Sequence, residues 1–185
     1  MGTHIKTLKT ELIYSGRVIS LCKDVVVLSS GRTAIREKVV HPGSVGILPV
    51  LEDGSLVLVE QFRYVVGVRL LEIPAGTIEE GESPEVCAAR ELLEETGYQA
   101  GRLTLLSSFY LAPGYSNEFM WLFKASDLRA GEQKPMLDEA IEVKRVSLDE
   151  ALRLVEEGRI RDVKTICALL LYTLTEKVGF FKQVS

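Results

Sequence analysis

Cysteine and histidine are scarce in this chain of 185 residues, with three of the first and two of the second. Cys22, Cys87 and Cys167 stand far apart without CxxC spacing. That argues against a disulfide framework or a thiolate zinc site and fits a reducing, cytoplasmic setting. No apolar run approaches the roughly 18–20 residues that a bilayer-spanning helix needs, and the longest stretch, Ala168–Leu174, falls far short. The first residues, Met1 to Lys6, have no apolar signal core, so no secretion and no membrane partner are expected. Positive charge is not in excess either. Twenty-two Lys and Arg against 26 Asp and Glu leave a net charge of −4, so there is no broad basic footprint for nucleic acid. Internal repeats and low-complexity segments are absent. At 46% hydrophobic and 26% charged residues, the composition is that of an ordinary folded domain rather than a disordered chain.

The pattern along the chain suggests two regions. In residues 1–43, Glu11–Tyr14, Val18–Leu28 and Thr33–Val40 are rich in Val, Ile, Leu and Tyr and are broken by Ser15-Gly16 and Ser29-Ser30-Gly31. They read as a three-stranded antiparallel meander, closed by His41-Pro42-Gly43. So small a sheet buries little core alone, which points to packing against the rest of the chain or a second subunit.

Residues 44–185 read as a mixed domain. Val45–Leu51 and Ser55–Glu60 flank Glu52-Asp53-Gly54, a hairpin signal, and Leu70–Ile73 is a further short strand. Ser83 and Pro84 form an N-cap and first-turn proline for a helix stopped by Gly97. Strands are expected near Leu103–Tyr110, Glu118–Lys124 and Glu142–Val146. Ser147-Leu148-Asp149-Glu150 is a capping box for a helix to about Glu157, and another helix covers Val163–Thr175. The fold class expected is α+β, an α/β/α sandwich with a small N-terminal antiparallel sheet.

The most informative stretch is acidic. Eight glutamates lie between Glu72 and Glu95 inclusive. At 100° per residue, Glu91 and Glu95 lie about 40° apart on the helix and Glu94 about 60° from Glu91. Val86, Ala89 and Leu93 then read as the opposite, core-facing stripe. Like charges at i,i+4 weaken a helix by a few tenths of a kcal/mol, and a hard divalent cation would relieve that repulsion. The plain alternative is a solvated acidic face.

The whole pattern decides between them. Gly76, five residues, Glu82, seven residues, then Arg90-Glu91-Leu92-Leu93-Glu94-Glu95-Thr96-Gly97-Tyr98 resembles the signature of the Nudix hydrolase family. Its seven fixed positions would meet by chance in roughly one such chain in a million. The resemblance implies a metal-dependent hydrolase of nucleoside diphosphates linked to another moiety, using Mg²⁺ with Mn²⁺ as a substitute. It implies Glu91 and Glu95 as the main metal ligands, with Glu82, Glu94 and the Ala75 carbonyl assisting. Arg90 then orients these carboxylates, Gly76 and Gly97 serve backbone geometry, and Tyr98 packs.

Other segments resemble the ADP-ribose pyrophosphatase subgroup. These are Pro113, fifteen positions after Tyr98; Arg36 to Gly43; Gln61-Phe62-Arg63-Tyr64; Leu71 to Gly76; and Asp138 to Val143. The resemblance implies hydrolysis of ADP-ribose to AMP and ribose 5-phosphate. Arg36 and Arg63 can give bidentate hydrogen bonds to a pyrophosphate or ribose, or serve as ordinary ion-pair partners. Glu37 can accept from a ribose hydroxyl or the adenine amine, or simply be solvated. Phe62, Tyr64, Phe109 and Tyr110 are stacking candidates or core residues. In the acidic loop, Glu139 is the first choice and Glu142 the second for positioning the attacking water.

The alternatives are a Nudix hydrolase acting on another nucleotide sugar such as GDP-mannose or on a dinucleotide polyphosphate, a non-catalytic nucleotide-sugar sensor, and a structural acidic domain. A homodimer sharing its N-terminal strands is expected on the same resemblance. Arg36 and Glu37 could then serve the partner's site.

Overall fold

Ten strands and three helices follow from these local signals in a computed structural model that describes residues 5–133 and 140–177. Strands β1 (Lys6–Ser15), β2 (Ser20–Val27) and β3 (Thr33–Val40) form the expected antiparallel meander, in the order β1-β2-β3. One four-stranded and one further three-stranded sheet follow. One runs β7-β4-β9-β8, from β7 (Ala75–Thr77), β4 (Ser44–Pro49), β9 (Phe119–Ala130) and β8 (Tyr98–Tyr110). The other runs β10-β5-β6, from β10 (Glu142–Val146), β5 (Leu56–Arg63) and β6 (Val68–Glu72). The helices are α1 (Pro84–Thr96), α2 (Leu148–Glu156) and α3 (Val163–Lys177). Among the described residues, no helix is long and apolar enough to cross a membrane.

The chain divides into two units. The first joins residues up to Ser44 with Phe109–Met120. Within it, the Val39 N–H donates to the Tyr115 carbonyl at 2.8 Å, and the Asn117 side chain spans His41 through its N–H at 2.8 Å and carbonyl at 3.2 Å. Pro113 opens a turn in which Tyr115 and Ser116 both donate to the Ala112 carbonyl. Gly114 lacks the positive φ of a type II turn, so the turn is helical in kind. All ten residues of β1 are exposed, including Leu8, Leu12 and Tyr14.

The second unit comprises Val45–Ser108 and Trp121–Ser185. Its core sits where α1 packs on the four-stranded sheet: Cys87, Ala88 and Leu92 meet Val45, Ile47, Phe123 and Ala125. Ser83 caps α1 by accepting from the Val86 N–H at 3.3 Å, and Pro84 opens its first turn. Gly97 closes it at φ +75°, a backbone state that glycine adopts without a Cβ penalty. Leu56 to Val59 in β5 are essentially inaccessible, as befits a strand flanked by β10 and β6.

Two expectations are corrected. The Glu52-Asp53-Gly54 turn forms, with Gly54 at φ +81°, but it does not make a hairpin ladder. The Val50–Leu56 bridge and a bond from the Leu51 N–H to the Ser55 carbonyl at 2.8 Å join its arms before β4 and β5 leave for different sheets. The core stripe of α1 is also shifted. Val86 is 59% exposed and Ala89 is exposed, while Cys87, Ala88, Glu91, Leu92, Glu95 and Thr96 are buried. The helix turns Glu91 and Glu95 inward.

Candidate active site

The signature residues meet between β7 and α1. Arg90, in the middle of α1, directs its guanidinium back over the preceding loop and grips Glu82 with two bonds of 2.9 Å, from Nε and Nη2. Nη1 donates to Glu91 at 2.6 Å and to Glu94 at 3.3 Å. Nη2 also reaches the Thr77 carbonyl at 3.3 Å and the Cys87 sulfur at 3.4 Å. One cation thus serves three carboxylates. Glu95, one turn on, accepts the Ala75 N–H at 3.1 Å. Glu91 and Glu95 are 9% and 4% exposed, which removes the reading of α1 as a solvated acidic face.

The ionisation states follow from these contacts. Hydrogen bonds from Arg90 hold the Glu82 carboxyl far below its ordinary range, at about 2. The same bonds push the Arg90 guanidinium upward, so it stays charged. Burial drives the Cys87 thiol up to about 12, leaving it neutral and inert as a nucleophile.

Gly76 fits this place for a steric reason. A Cβ there would lie 1.9 Å from both Cδ and Oε1 of Glu91, so the strand can approach the carboxylate this closely only without a side chain. Gly97 is needed instead for its positive φ. Among the described residues, no three His, Cys, Asp or Glu side chains stand in a geometry that would hold an ion. The donor chemistry nevertheless fits a hard cation: carboxylate and carbonyl oxygens that are partly buried. Glu82, Glu91, Glu94, Glu95 and the Ala75 backbone are the residues that could hold one.

The remaining residues singled out from the sequence have other surroundings. Arg63 donates to both Glu72 oxygens, at 2.9 and 2.8 Å, and so commits one edge of its guanidinium to a buried carboxylate. Arg36 is exposed and donates to the neighbouring Ile35 carbonyl, and Glu37 is exposed beside it on β3. Pro113 lies in the turn of the first unit described above. Glu142 is exposed on β10, where Arg69 at 2.7 Å and Lys144 at 2.8 Å bind it and hold its carboxyl below the usual range. The Arg63 guanidinium is raised above its ordinary range by its hydrogen bonds to Glu72, and it also feels the charge of Glu95. Glu139 lies outside the described residues.

Sequence reasoning missed a second charged cluster, built from Arg63, Glu72, Asp162, Lys164 and Thr165. Its one sequence signal was the run Asp162-Val163-Lys164-Thr165 opening an otherwise apolar helix.

The comparisons with known proteins agree with this geometry. Residues 40–169 match the NUDIX domain. The chain is 44% identical over 173 residues to an ADP-ribose pyrophosphatase of Bacillus subtilis, covering 92% of this chain and 94% of that protein. It is 43% identical, over the same shares, to a methanol dehydrogenase activator of Bacillus methanolicus. A crystal structure of an ADP compounds hydrolase superimposes with a TM-score of 0.83 at 26% identity, covering 95% of this chain and 96% of that one. With the signature complete and its carboxylates gathered on Arg90, the chain is an enzyme of the Nudix hydrolase family.

Proposed function

We propose that the protein is a Mg²⁺-dependent ADP-ribose pyrophosphatase, releasing AMP and ribose 5-phosphate. The observation that carries the reading is the gathering of Glu82, Glu91 and Glu94 on Arg90, in a chain 44% identical to a protein named for that activity. Nudix hydrolases in general use divalent ions such as Mg²⁺. Glu91, Glu95, Glu82 and the Ala75 carbonyl would hold Mg²⁺ here, with Glu94 assisting and Mn²⁺ as a substitute. Bound there, the ion supplies charge neutralisation and a more acidic water.

The chain's own residues do the rest. Water adds to one phosphorus of the pyrophosphate and the bridging oxygen leaves with the other phosphate, so the two products are monophosphates. Arg90 keeps Glu82, Glu91 and Glu94 in one array. Arg36 and the uncommitted edge of Arg63 donate to phosphate or ribose oxygens, Glu37 accepts from the nucleoside, and Pro113 shapes the selectivity loop. Glu139, or else Glu142, positions the attacking water. The enzyme acts in the cytoplasm as a homodimer. The fully exposed β1, with Leu8, Leu12 and Tyr14 turned outward, supports a second copy on that sheet.

The test is hydrolysis of a panel of ADP-ribose, GDP-mannose, UDP-glucose, NADH and a diadenosine polyphosphate, with Mg²⁺ or EDTA. Preferential Mg²⁺-dependent release of AMP and ribose 5-phosphate supports the reading. Preference for another substrate retains the Nudix chemistry and discards the roles given to Arg36, Arg63 and Pro113. Inactivity on the whole panel favours a nucleotide-sugar sensor.

A further inference from the structure

The backbone that faces α1 is short. It leaves β6 at Glu72, passes Ile73 and Pro74, and enters β7 with Ala75 and Gly76. This stretch meets Glu95 through the Ala75 N–H and leaves Glu91 no room for a Cβ on Gly76. A displacement of the strand by a few tenths of an ångström would therefore disturb two of the four signature carboxylates.

On one side β4 holds the stretch, with the Ile47 N–H donating to the Pro74 carbonyl at 2.8 Å, and on the other the start of α3 does, some 90 residues later in the chain. The Ile73 N–H, in a residue with no exposed surface, donates to Thr165 Oγ1 at 2.8 Å. Thr165 is also fully buried, and its hydroxyl donates to Asp162 Oδ2 at 2.5 Å. The same oxygen accepts the Thr165 N–H at 3.0 Å and so caps the helix. The other Asp162 oxygen pairs with Lys164 Nζ at 2.8 Å, and Lys164 reaches back to Glu72. Glu72, 1% exposed, is held on its other side by Arg63. Neighbouring residues Glu72 and Ile73 are thus pinned by neighbouring residues Lys164 and Thr165, one through a side chain and one through the main chain. Burial alone would push the Glu72 carboxyl upward, but the hydrogen bonds from Arg63 and the charge of Lys164 outweigh it and keep it ionised.

We propose that Asp162, Lys164 and Thr165 form a positioning brace that sets the Ile73–Gly76 backbone against α1 and thereby sets the affinity of the glutamate cluster for its divalent cation. The brace touches neither cation nor substrate. It acts through one main-chain N–H and one buried carboxylate. This inference rests on the cation site assigned under Proposed function.

The experiment uses Mn²⁺ alone, with free ion counted by electron paramagnetic resonance, and hydrogen exchange of the Ile73 amide as a second reading. Thr165→Val keeps the shape but removes the acceptor, leaving a buried N–H without a partner. Its Mn²⁺ dissociation constant should rise by roughly 10–100-fold, the range seen when a group orienting metal ligands is lost. Ile73 exchange should speed up with it, and Thr165→Ser should restore both. Thr165→Val binding Mn²⁺ like the wild type while Ile73 exchange accelerates would overturn the brace, as would a failure of Thr165→Ser to rescue. Should Thr165→Val not fold, Asp162→Asn, which retains a capping oxygen, decides on the same criterion of weakened or unchanged Mn²⁺ binding. A wild-type protein that binds no Mn²⁺ overturns the cation site itself, and the brace falls with it.

Discussion

Two clusters of charge lie in the same unit of the molecule and are built on opposite principles. Around Glu72, the two cations Arg63 and Lys164 face the two carboxylates Glu72 and Asp162, and their hydrogen bonds interlock. Around Arg90, one cation faces Glu82, Glu91 and Glu94, with Glu95 on the next turn. The first matches two cations to two carboxylates. In the second a single guanidinium gathers three carboxylates, two of them only half-buried, and the Arg63 charge acts on Glu95 as well. Paired charges of the first kind tie distant parts of the chain together, whereas carboxylates gathered on one helix are the oxygen donors that a divalent cation takes.

The same chemical change should therefore have different consequences in the two places. The largest effect is expected for Glu91→Gln. The loss of a ligand worth several kcal/mol of transition-state charge stabilisation corresponds to a fall in kcat of about 10³-fold. The metal-free fold should remain, since Arg90 keeps two carboxylate partners. Mg²⁺-dependent activity and circular dichroism measured together would show this, and near-normal turnover would break the contrast. For Glu72→Gln the expectation reverses. It leaves Arg63 and Lys164 without their shared buried carboxylate, and breaking such a pair costs about 3–5 kcal/mol. Urea unfolding would register it, and an unchanged midpoint would mean that the cluster is not structural.

Smaller effects sharpen the same comparison. Arg90→Met should weaken divalent-ion binding by roughly 10–100-fold, because the carboxylates it aligns would splay apart under their own repulsion. Metal titration followed by calorimetry measures it. The smallest effect is in acid. The Glu82 carboxyl is depressed from 4.5 to about 2 in the folded protein, so its bond with Arg90 contributes stability that is fully present above pH 4.5. That contribution shrinks as pH falls below 4.5 and vanishes only below about 2, where both states are protonated. Wild type and Glu82→Gln should thus differ in stability by a constant amount above pH 4.5 and draw together as pH falls toward 2. A difference at pH 2 as large as that at pH 6 would contradict the assignment.

How much of this was legible in the sequence depended on how local each signal was. The limits of α1 were written in Ser83, Pro84 and Gly97, and β3 and β10 fall on the residues expected from their apolar patterning. The turn at Gly54 was legible too, but not its outcome, because turn chemistry is local while the choice of sheet partner is not. Strands β8 and β9 run longer than expected, since polar residues such as Gln99, Arg102 and Asp127 interrupt the apolar pattern without interrupting the sheet.

The face of α1 was misread for an instructive reason. Amphipathic reasoning sends charge to solvent, and here Glu91 and Glu95 turn inward with Cys87, Ala88 and Leu92. The positions where that rule fails are those of the signature. The brace from α3 could not be read at all. Its contacts join residues about 90 positions apart, and nothing near Ile73 announces that its N–H needs a hydroxyl from another helix.

The most direct measurement is thermal unfolding of the metal-free protein with and without Mg²⁺, in the wild type and in Glu95→Gln. A ligand that binds only the folded state stabilises it by about 2.7 kcal/mol at a hundred times its dissociation constant. The wild type should show a rise in Tm of several degrees that saturates with Mg²⁺, and the variant should show little or none. Equal shifts in the two proteins, or none in the wild type, would contradict the proposal that the carboxylates around Arg90 form a cation site.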